Sequence, residues 1–366
     1  WVDPIQNHRD LGRGARHVPT DRTILIAGAG IGGLTAALAL SRAGFPVVVF
    51  EAARHLSEIG AGIQLSPNAV HVLRELGIAE RLAPDIVAPT AVRVRSARSG
   101  RDIARIPLGT TAEARYGAPY WIVHRAHLQR ALLAAIEGCP DAILRLGVSV
   151  LDVARHEHGV TIAGKTANGV LIEEQGTALI AADGDGSNIR PRLNAGDEAV
   201  FSRRTAWRAL IAAEDAEPHW FEAETSLWLG PGAHLVHYPV CGGSALNVVA
   251  IVNDDAPRKG WAGAGERDAL VARFARWHRD ARRVIERPAG WQTWSLFDLP
   301  AKPRPGRGAV TLLGDAAHAT LPFVAQGGAM AIEDAIVLAH CIERGVARGH
   351  DIASAMREYE TLRAPR

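Results

Sequence analysis

Three glycines and one glutamate near the start of the chain have the residue types and the spacing needed to bind a dinucleotide. Gly28, Gly30 and Gly33 follow an apolar run at residues 23–27, and Glu51 lies 23 residues after the first glycine. Glycines in this pattern permit a tight turn, a close approach of a pyrophosphate to the backbone, and close packing of a helix on a strand. A carboxylate at this spacing accepts hydrogen bonds from both hydroxyls of an adenosine ribose. The pattern therefore predicts a bound dinucleotide, without saying which one.

The residues around this pattern must form a strand, a helix and a second strand. The glycines are followed by an apolar run of small residues up to Gly44, and then by Pro-Val-Val-Val-Phe at residues 46–50. A helix that begins at the glycines points free N–H groups at the phosphates. The uncharged residues 24–41 are also typical of a secretory signal or a membrane helix. The four glycines within them and the strand that follows disfavour both interpretations.

Two aspartates follow apolar runs much later in the chain, and a glycine pair opens a long helical pattern. Residues 178–182 predict a buried strand that leads into Asp183, and residues 309–313 predict another that leads into Asp315. The helix is expected to begin near Gly328. Sheet-like inserts lie between these elements, so the sequence predicts two domains that are interleaved along the chain.

The inserts alternate in polarity as antiparallel strands do. Residues 91–106 predict a hairpin, and residues 144–153 and 159–163 predict a strand pair. Residues 205–252 predict several antiparallel strands. A polar helix is expected over residues 266–284.

One of these strands carries a histidine and a tyrosine on the same face. Because alternate residues of a strand share a face, His234, Val236 and Tyr238 point one way. Leu235 and His237 point the other way. A histidine accepts a proton near neutral pH, and Tyr238 can donate to the same oxygen or relay from it. The apolar residue between them suits an aromatic acid that lies on the sheet, while the competing interpretation is a pair of satisfied structural residues.

Composition narrows the class of protein. The chain has 366 residues, 48% of them hydrophobic and 22% charged, which is ordinary for a soluble globular protein. The formal net charge of +2 gives no reason to expect nucleic acid or an anionic membrane as a partner. The widely spaced Cys139, Cys241 and Cys341 predict no metal site and a reduced, cytoplasmic setting. The polar residues 1–22 are expected to form a poorly ordered extension.

Three separated motifs give the chain a resemblance to a known family. They are Gly28-x-Gly30-x-x-Gly33, Asp183-Gly184-x-x-Ser187-x-x-Arg190 and Gly314-Asp315-Ala-Ala-His318. In this order and spacing they resemble the FAD-dependent aromatic hydroxylases, the group A flavoprotein monooxygenases with the p-hydroxybenzoate hydroxylase fold. The resemblance spans about residues 22–364. It is greatest to the branch that contains salicylate hydroxylase, 3-hydroxybenzoate 6-hydroxylase and 6-hydroxynicotinate 3-monooxygenase.

The resemblance implies an α/β fold in which a Rossmann-like FAD-binding domain is interleaved with a mostly antiparallel β-sheet substrate domain. The FAD-binding domain is expected to comprise residues 23–90, 120–197 and 300–366. The substrate domain is expected to comprise residues 91–119 and 198–299.

The resemblance also implies a tightly but non-covalently bound FAD. A carboxylate at a strand end accepts from polyol hydroxyls, an arginine donates to the cofactor, and a helix start favours the anionic reduced flavin. The residues that match the family's cofactor-binding positions are Gly28, Gly30, Gly33, Glu51, Arg125, Val150, Asp183, Asp315, Gly327, Gly328 and Ala329.

The implied reaction uses NAD(P)H and O2 to hydroxylate a small aromatic substrate, similar to a hydroxybenzoate or salicylate, through a flavin C4a-hydroperoxide. NAD(P)H is expected to bind transiently, because the chain carries no second glycine fingerprint. The matching substrate positions are Gln64, His234, Tyr238 and Pro322, of which His234 and Tyr238 are the catalytic candidates. The chain departs from its relatives at Gln64, Pro322 and Cys241, so the substrate and the ring position stay open. The oligomeric state, monomer or homodimer, is equally open.

Three alternatives compete with this interpretation. A flavin-dependent oxidoreductase could use the same scaffold without inserting oxygen. A nicotinamide-binding or regulatory module would need only the first motif and would purify without flavin absorbance. A metal hydrolase is disfavoured, because the histidines lack a ligand cluster such as HExxH.

Overall fold

The computed structural model describes residues 22–56, 62–193, 199–257, 259–261, 264–300, 302 and 304–366. The expected extension at residues 1–22 therefore lies, except for Arg22, outside the described residues.

A five-stranded parallel sheet forms the centre of the first part of the molecule. Its strands, numbered in chain order and given in spatial order, are β18 (Val310–Leu312), β11 (Ala178–Ala181), β1 (Ile24–Ala27), β2 (Val47–Glu51) and β7 (Ala142–Leu146). The strands β1, β11 and β18 are buried along their whole length. Such continuous apolar runs are what a parallel sheet with both faces covered requires.

Helices cover one face of this sheet and a small antiparallel sheet covers the other. The helices are α1 (Ile31–Arg42), α5 (Arg125–Ile136), α10 (Gly327–Ala347) and α11 (Ile352–Arg363). The small sheet consists of β8 (Val148–His156), β9 (Gly159–Thr166) and β10 (Leu171–Gly176). Its residues Val150 and Ile162 pack against Leu25 and Phe50 of the parallel sheet.

An eight-stranded, mostly antiparallel sheet forms the second part. Its spatial order is β16 (Lys259–Trp261), β17 (Gln292–Asp298), β12 (Val200–Ala212), β15 (Ala245–Asn253), β14 (Ala233–Val240), β13 (Glu224–Gly230), β4 (Ala91–Ser96) and β5 (Asp102–Pro107). One face packs against α7 (Ala264–Arg273) and α8 (Arg279–Glu286) through a tryptophan-rich core. The opposite face turns towards the first part of the molecule.

A two-stranded ribbon connects the two parts. It is formed by β3 (Gly62–Leu65) and β6 (Trp121–His124). The remaining helices are α2 (Pro67–Glu75), α3 (Ala79–Leu82), α4 (Thr110–Tyr116), α6 (Arg190–Leu193) and α9 (Asp315–His318).

The expected fold class is confirmed, whereas two local expectations are wrong. The expected helix over residues 266–284 is divided between α7 and α8, because His278 leaves the helix to bond Ala97 O and caps α8 through Asp280 N. The expected strand over residues 144–153 is divided at Gly147, which has φ +70° and passes the chain from one sheet to another. The residue limits of the two expected domains stay a prediction.

The glycine turn generates a prediction about stability. A Cβ on Gly33 would lie 2.0 Å from Gly28 O, whereas a Cβ on Gly30 would have no described atom within 4 Å. We expect Gly33→Ala to lower the free energy of unfolding by roughly 1–3 kcal/mol through overpacking. The control Gly30→Ala should lower the free energy of unfolding much less. Thermal unfolding of both variants measures the difference. Equal losses would contradict the close contact between α1 and β1.

Candidate active site

The acidic and glycine-rich candidates lie along one edge of the parallel sheet. Glu51 ends β2, the glycine turn at residues 28–33 follows β1, Asp183 follows β11, and Asp315 follows β18. Because these four strands are neighbours, their carboxyl ends place the candidate groups in one row. Ligands of open α/β sheets bind at this edge.

The glycine turn is held rigidly from both sides. Glu51 accepts hydrogen bonds from Ala29 N at 2.8 Å and from Ala53 N at 2.9 Å. Gln129 Nε2 donates to Ala29 O at 3.2 Å. Gly28 has φ +101°, and a Cβ there would lie 2.4 Å from a carbonyl oxygen of the neighbouring strand. Gly30 is open on its outer side, so a pyrophosphate can approach the backbone at the start of α1.

Asp183 has one oxygen occupied and one that points to no described partner. Its Oδ2 accepts from Asn188 N at 2.8 Å and from Ile189 N at 3.4 Å. Its Oδ1 is buried without a hydrogen-bond partner among the described residues, which is what a ligand hydroxyl would satisfy. Val150 lies beside this loop, since its carbonyl accepts from Asn188 Nδ2 at 3.1 Å.

Arg190 of the second motif organises the loops around this edge. Its Nη2 donates to Asp185 O at 2.6 Å, and its Nη1 donates to Ala316 O at 3.3 Å. The side chain thus ties the loop after β11 to α9, next to Asp315.

Asp315 lies beside the start of the long helix α10. Its Oδ1 is 3.6 Å from the position that a Cβ on Gly327 would take. The residue is exposed on one side, yet desolvation by the surrounding protein and the nearby Asp185 raise the pKa of its carboxyl, against the opposing charges of His318 and Arg125. Hydroxyl groups that donate hydrogen bonds to such a carboxyl stabilise its ionised form. Arg125, the first residue of α5, lies within electrostatic reach of Asp315. We call the space along this edge of the sheet, from Glu51 to Asp315 and the start of α10, the cofactor groove.

The first turn of α10 offers the positive end of a 21-residue helix. It consists of Gly327, Gly328 and Ala329, whose N–H groups precede the intrahelical hydrogen-bond pattern. The helix dipole adds partial positive charge at this end. The turn can therefore hold an anionic group at the edge of the groove.

His234 lies on the face of the eight-stranded sheet that turns towards this groove. Its ring meets the ring of Phe323 edge to face, with centroids 5.5 Å apart. Burial and the positive charge of Arg204 lower its pKa below the ordinary value. Phe323 belongs to the short helical turn Pro322–Val324, whose first residue Pro322 is exposed. The structure thus brings His234 and Pro322 into one region.

Tyr238 shares this face of β14 with His234 but is almost fully buried. Its hydroxyl donates to Gly62 O at 2.9 Å, and burial raises its pKa to about 12. Nearby, Gln64 Oε1 accepts from Tyr120 OH at 2.9 Å. Both tyrosines are therefore protonated donors at neutral pH, each to a group on β3.

Two arginines that were not predicted from the sequence lie on the same sheet face as His234. The guanidinium of Arg204 lies over the ring of Phe323 at 4.9 Å, and that of Arg208 lies over the ring of Trp294 at 5.2 Å. The feature of the sequence that could have indicated these arginines is the alternation along β12, because the buried Thr205 and Trp207 face the other side of the sheet. That pattern shows a shared face but not which face meets the groove.

Asn247 was also missed. It is 0% exposed on β15 and its Oδ1 accepts from Gly62 N at 2.9 Å. The feature of the sequence that could have indicated Asn247 is its position within the otherwise apolar run at residues 246–252. A polar side chain within a buried strand must find a hydrogen-bond partner.

The residues along the edge of the parallel sheet fit FAD. The open side of Gly30 leaves space for a pyrophosphate, Glu51 and Asp183 carry oxygens that can accept from hydroxyls, and Asp315 lies beside the start of α10. A family model described as an FAD binding domain matches residues 21–366, and the chain belongs to this family.

Individual relatives define the class of enzyme. The 3-amino-4-hydroxybenzoate 2-monooxygenase of Streptomyces cremeus is 37% identical over 351 residues, which is 95% of this chain and 85% of that protein. The 3-hydroxybenzoate 6-hydroxylase of Polaromonas naphthalenivorans is 35% identical over 348 residues, with the same coverage. The crystal structure of Klebsiella pneumoniae HpxO complexed with FAD and uric acid has 30% identity and a TM-score of 0.80, covering 94% of this chain and 84% of that one. The chain is an FAD-dependent aromatic monooxygenase.

Among the described residues, no group of three His, Cys, Asp or Glu side chains is placed to hold a metal ion. In the same parts of the chain, no helix combines the length and the apolar character needed to cross a membrane.

A buried ion-pair network fixes the backbone that carries Asp315. Asp334 accepts from Arg363 Nε at 2.6 Å and from Gly314 N at 3.1 Å, and its Oδ2 lies 2.5 Å from His318 Nε2. Burial opposes both charges, but the hydrogen bond with Asp334 raises the pKa of His318. The cations His318 and Arg363 in turn hold the pKa of Asp334 below its ordinary value.

This network generates a prediction about pH. Because the pKa of His318 is raised, its pairing stabilises fully below about 6.5, the ordinary histidine value, and the stabilisation is lost as the pH rises through the raised pKa. The contribution of Asp334 is lost only in strong acid, as the pH falls through its lowered pKa. We expect His318→Gln to cost roughly 1–3 kcal/mol of unfolding free energy near pH 5.5 and clearly less near pH 9.

Chemical unfolding at several pH values measures this difference. The control is His340→Gln, which removes an exposed pair with Glu75 and should show little effect at any pH. A cost for His318→Gln that does not change with pH would show that the pKa of His318 is the same in the folded and the unfolded protein.

Proposed function

We propose that this enzyme uses NAD(P)H and O2 to hydroxylate a small monocyclic aromatic acid that also carries a phenolic hydroxyl. The observation that carries the proposal is the sheet face that turns towards the cofactor groove. It combines a cation beside an aromatic ring, Arg208 with Trp294, and a neutral proton acceptor, His234. These groups suit the two ends of a hydroxylated aromatic carboxylate.

The spacing of these groups supports a single ring. Arg208 and Val236 both pair with Val249, so they lie two strands apart at the same level of the sheet. His234 lies two residues before Val236 on β14. Strand spacings of about 4.8 Å and a rise of about 3.3 Å per residue separate the two Cα atoms by roughly 12 Å. The guanidinium of Arg208 lies over Trp294 on β17, the strand on the far side of β12 from β14, so the space between Arg208 and His234 can take one ring with its substituents.

Each residue then has a defined task. The guanidinium of Arg208 has five donors, so it can bind a carboxylate in addition to its contacts within the protein. His234 accepts the phenolic proton, which makes the ring electron-rich. Bound FAD supplies the electron transfer from NAD(P)H and the activation of O2. The ring of Phe323, itself 41% exposed, shields one side of His234.

Product analysis tests the function directly. The purified holoenzyme is incubated with NADH or NADPH, O2 and a panel of hydroxybenzoates, salicylates and hydroxynicotinates. We expect substrate-dependent oxidation of the nicotinamide and a ring-hydroxylated product. Oxidation of NAD(P)H without an oxygenated product from any of these compounds would favour the oxidoreductase alternative.

Substitution of Arg208 tests the carboxylate site. We expect Arg208→Gln to raise KM for the carboxylate substrate about tenfold to hundredfold, the loss of one charge-assisted hydrogen-bonded pair, with a smaller effect on kcat. The matched control on the same strand is Arg203→Gln, since the ion pair that Arg203 forms with Asp255 is exposed on both sides. Equal KM values for all three proteins would remove Arg208 from the substrate site.

The lowered pKa of His234 predicts the acid limb of the pH profile. The base must be neutral, so kcat/KM should rise with pH through a pKa below 6.5 and then level off. His234→Gln should lower kcat/KM by about 10²–10⁴-fold and remove this limb. A limb that persists in the variant would assign it to another group.

The quaternary state and the location belong to the proposal as well. We propose a cytoplasmic enzyme, in keeping with three cysteines that form no disulfide. A homodimer is the assembly to be tested, and light scattering after size-exclusion chromatography distinguishes it from a monomer.

A further inference from the structure

Two side chains of the eight-stranded sheet hold the main chain of Gly62. Asn247 Oδ1 accepts from Gly62 N, and Tyr238 OH donates to Gly62 O, both at 2.9 Å. Tyr238 and Asn247 face each other in register on β14 and β15, so they leave the sheet side by side. We call Gly62, Tyr238 and Asn247 the Gly62 clamp.

The clamp leaves no space for a side chain at its centre. A Cβ on Gly62 would lie 2.4 Å from Tyr238 Cε2 and 2.8 Å from Val240 Cγ1. Tyr238 is 4% exposed and Asn247 is 0% exposed. Both side chains are buried and Gly62 is half-buried, so breaking either hydrogen bond removes a partner of a partly buried main-chain group of Gly62.

The other side of β3 is packed equally closely against the cofactor groove. A Cβ on Gly328 would lie 2.6 Å from Ile63 Cδ1. Gln326, the residue before α10, donates through Nε2 to Ser66 Oγ at 3.0 Å. The strand β3 is therefore a single layer between the substrate face of the sheet and the first turn of α10.

We propose that Tyr238 and Asn247 are positioning residues that set the distance between the substrate face and the flavin-binding turn at Gly327–Ala329. They act through the main chain of Gly62, and no proton passes through Tyr238. The substrate side of this inference rests on the proposed function, whereas its effect on FAD binding rests on the family alone. The high pKa of Tyr238, about 12, agrees with a hydroxyl that stays protonated and donates to a carbonyl.

The variants Tyr238→Phe and Asn247→Ala test the clamp, because each removes one of its two hydrogen bonds. Tyr238→Phe also removes the hydrogen bond between the Tyr238 hydroxyl and the side chain of Gln64, which Asn247→Ala leaves in place. The control is Ser202→Ala, which removes a side-chain hydroxyl that donates to Leu296 O at 2.7 Å within the eight-stranded sheet, away from β3 and from the cofactor edge. The first readout is hydrogen exchange of the Gly62 amide in the FAD-loaded protein. The second is the dissociation constant of FAD, measured by flavin fluorescence.

We expect both clamp variants to accelerate exchange at Gly62 and to weaken FAD binding about fivefold to tenfold, the change that the loss of one ordinary hydrogen bond produces. The control should lower the melting temperature and leave both readouts unchanged. Wild-type exchange and wild-type FAD affinity in both clamp variants would overturn the proposal. If one clamp variant fails to fold, exchange at Gly62 and FAD affinity in the other variant still test the proposal.

The pH profile separates positioning from proton relay. A relay through Tyr238 predicts that Tyr238→Phe removes a limb of the kcat profile while FAD affinity is unchanged, which would overturn the proposal. A positioning role predicts that Tyr238→Phe keeps the shape of the pH profile of kcat and lowers its plateau. Should the wild-type protein hydroxylate no aromatic acid while the clamp variants still lose FAD affinity, the proposed function fails and the clamp stands.

Discussion

The arrangement of the two parts of the molecule depends on β3, which meets each of its two neighbours at a glycine: Gly62 of β3 itself, and Gly328 of α10, which contacts the side chain of Ile63. At Gly62 the sheet approaches β3, and at Gly328 the helix α10 approaches it, in both places nearer than a Cβ permits. Interiors packed this closely do not deform continuously, since moving one element requires its neighbours to move. Two glycines on different elements therefore bring the sheet face that carries His234 close to the start of α10.

The charged groups of the cofactor edge are held by local partners before any ligand is considered. Glu51 is fixed by two backbone amides, and Asp334 by a cation on each side. A site whose acceptors are already oriented loses less entropy when a ligand binds. The exception is Asp315, whose pKa is raised because its surroundings favour the neutral form. A ligand that donates hydroxyl hydrogen bonds there relieves this unfavourable environment.

The cofactor edge was predictable from the sequence because each of its parts is local. The glycine turn, Glu51, Asp183 and Asp315 all follow continuous apolar runs, and parallel strands bring their carboxyl ends to one edge without further information. The substrate face was only half predictable. Alternation along β14 placed His234 and Tyr238 together, but Arg208 reaches the same face through pairing across β15, which depends on register. Register between distant strands is set by tertiary packing, and one sequence does not reveal it.

The contrast between His234 and Tyr238 shows why a shared face does not imply a shared task. Both side chains leave β14 on the same side, and burial shifts the pKa of each towards its neutral form. For a histidine the neutral form is the proton acceptor, so burial prepares His234 to act as a base. For a tyrosine the neutral form is the donor, and Tyr238 has a carbonyl at 2.9 Å to donate to. The same desolvation therefore makes one residue suited to chemistry and the other suited to holding the main chain.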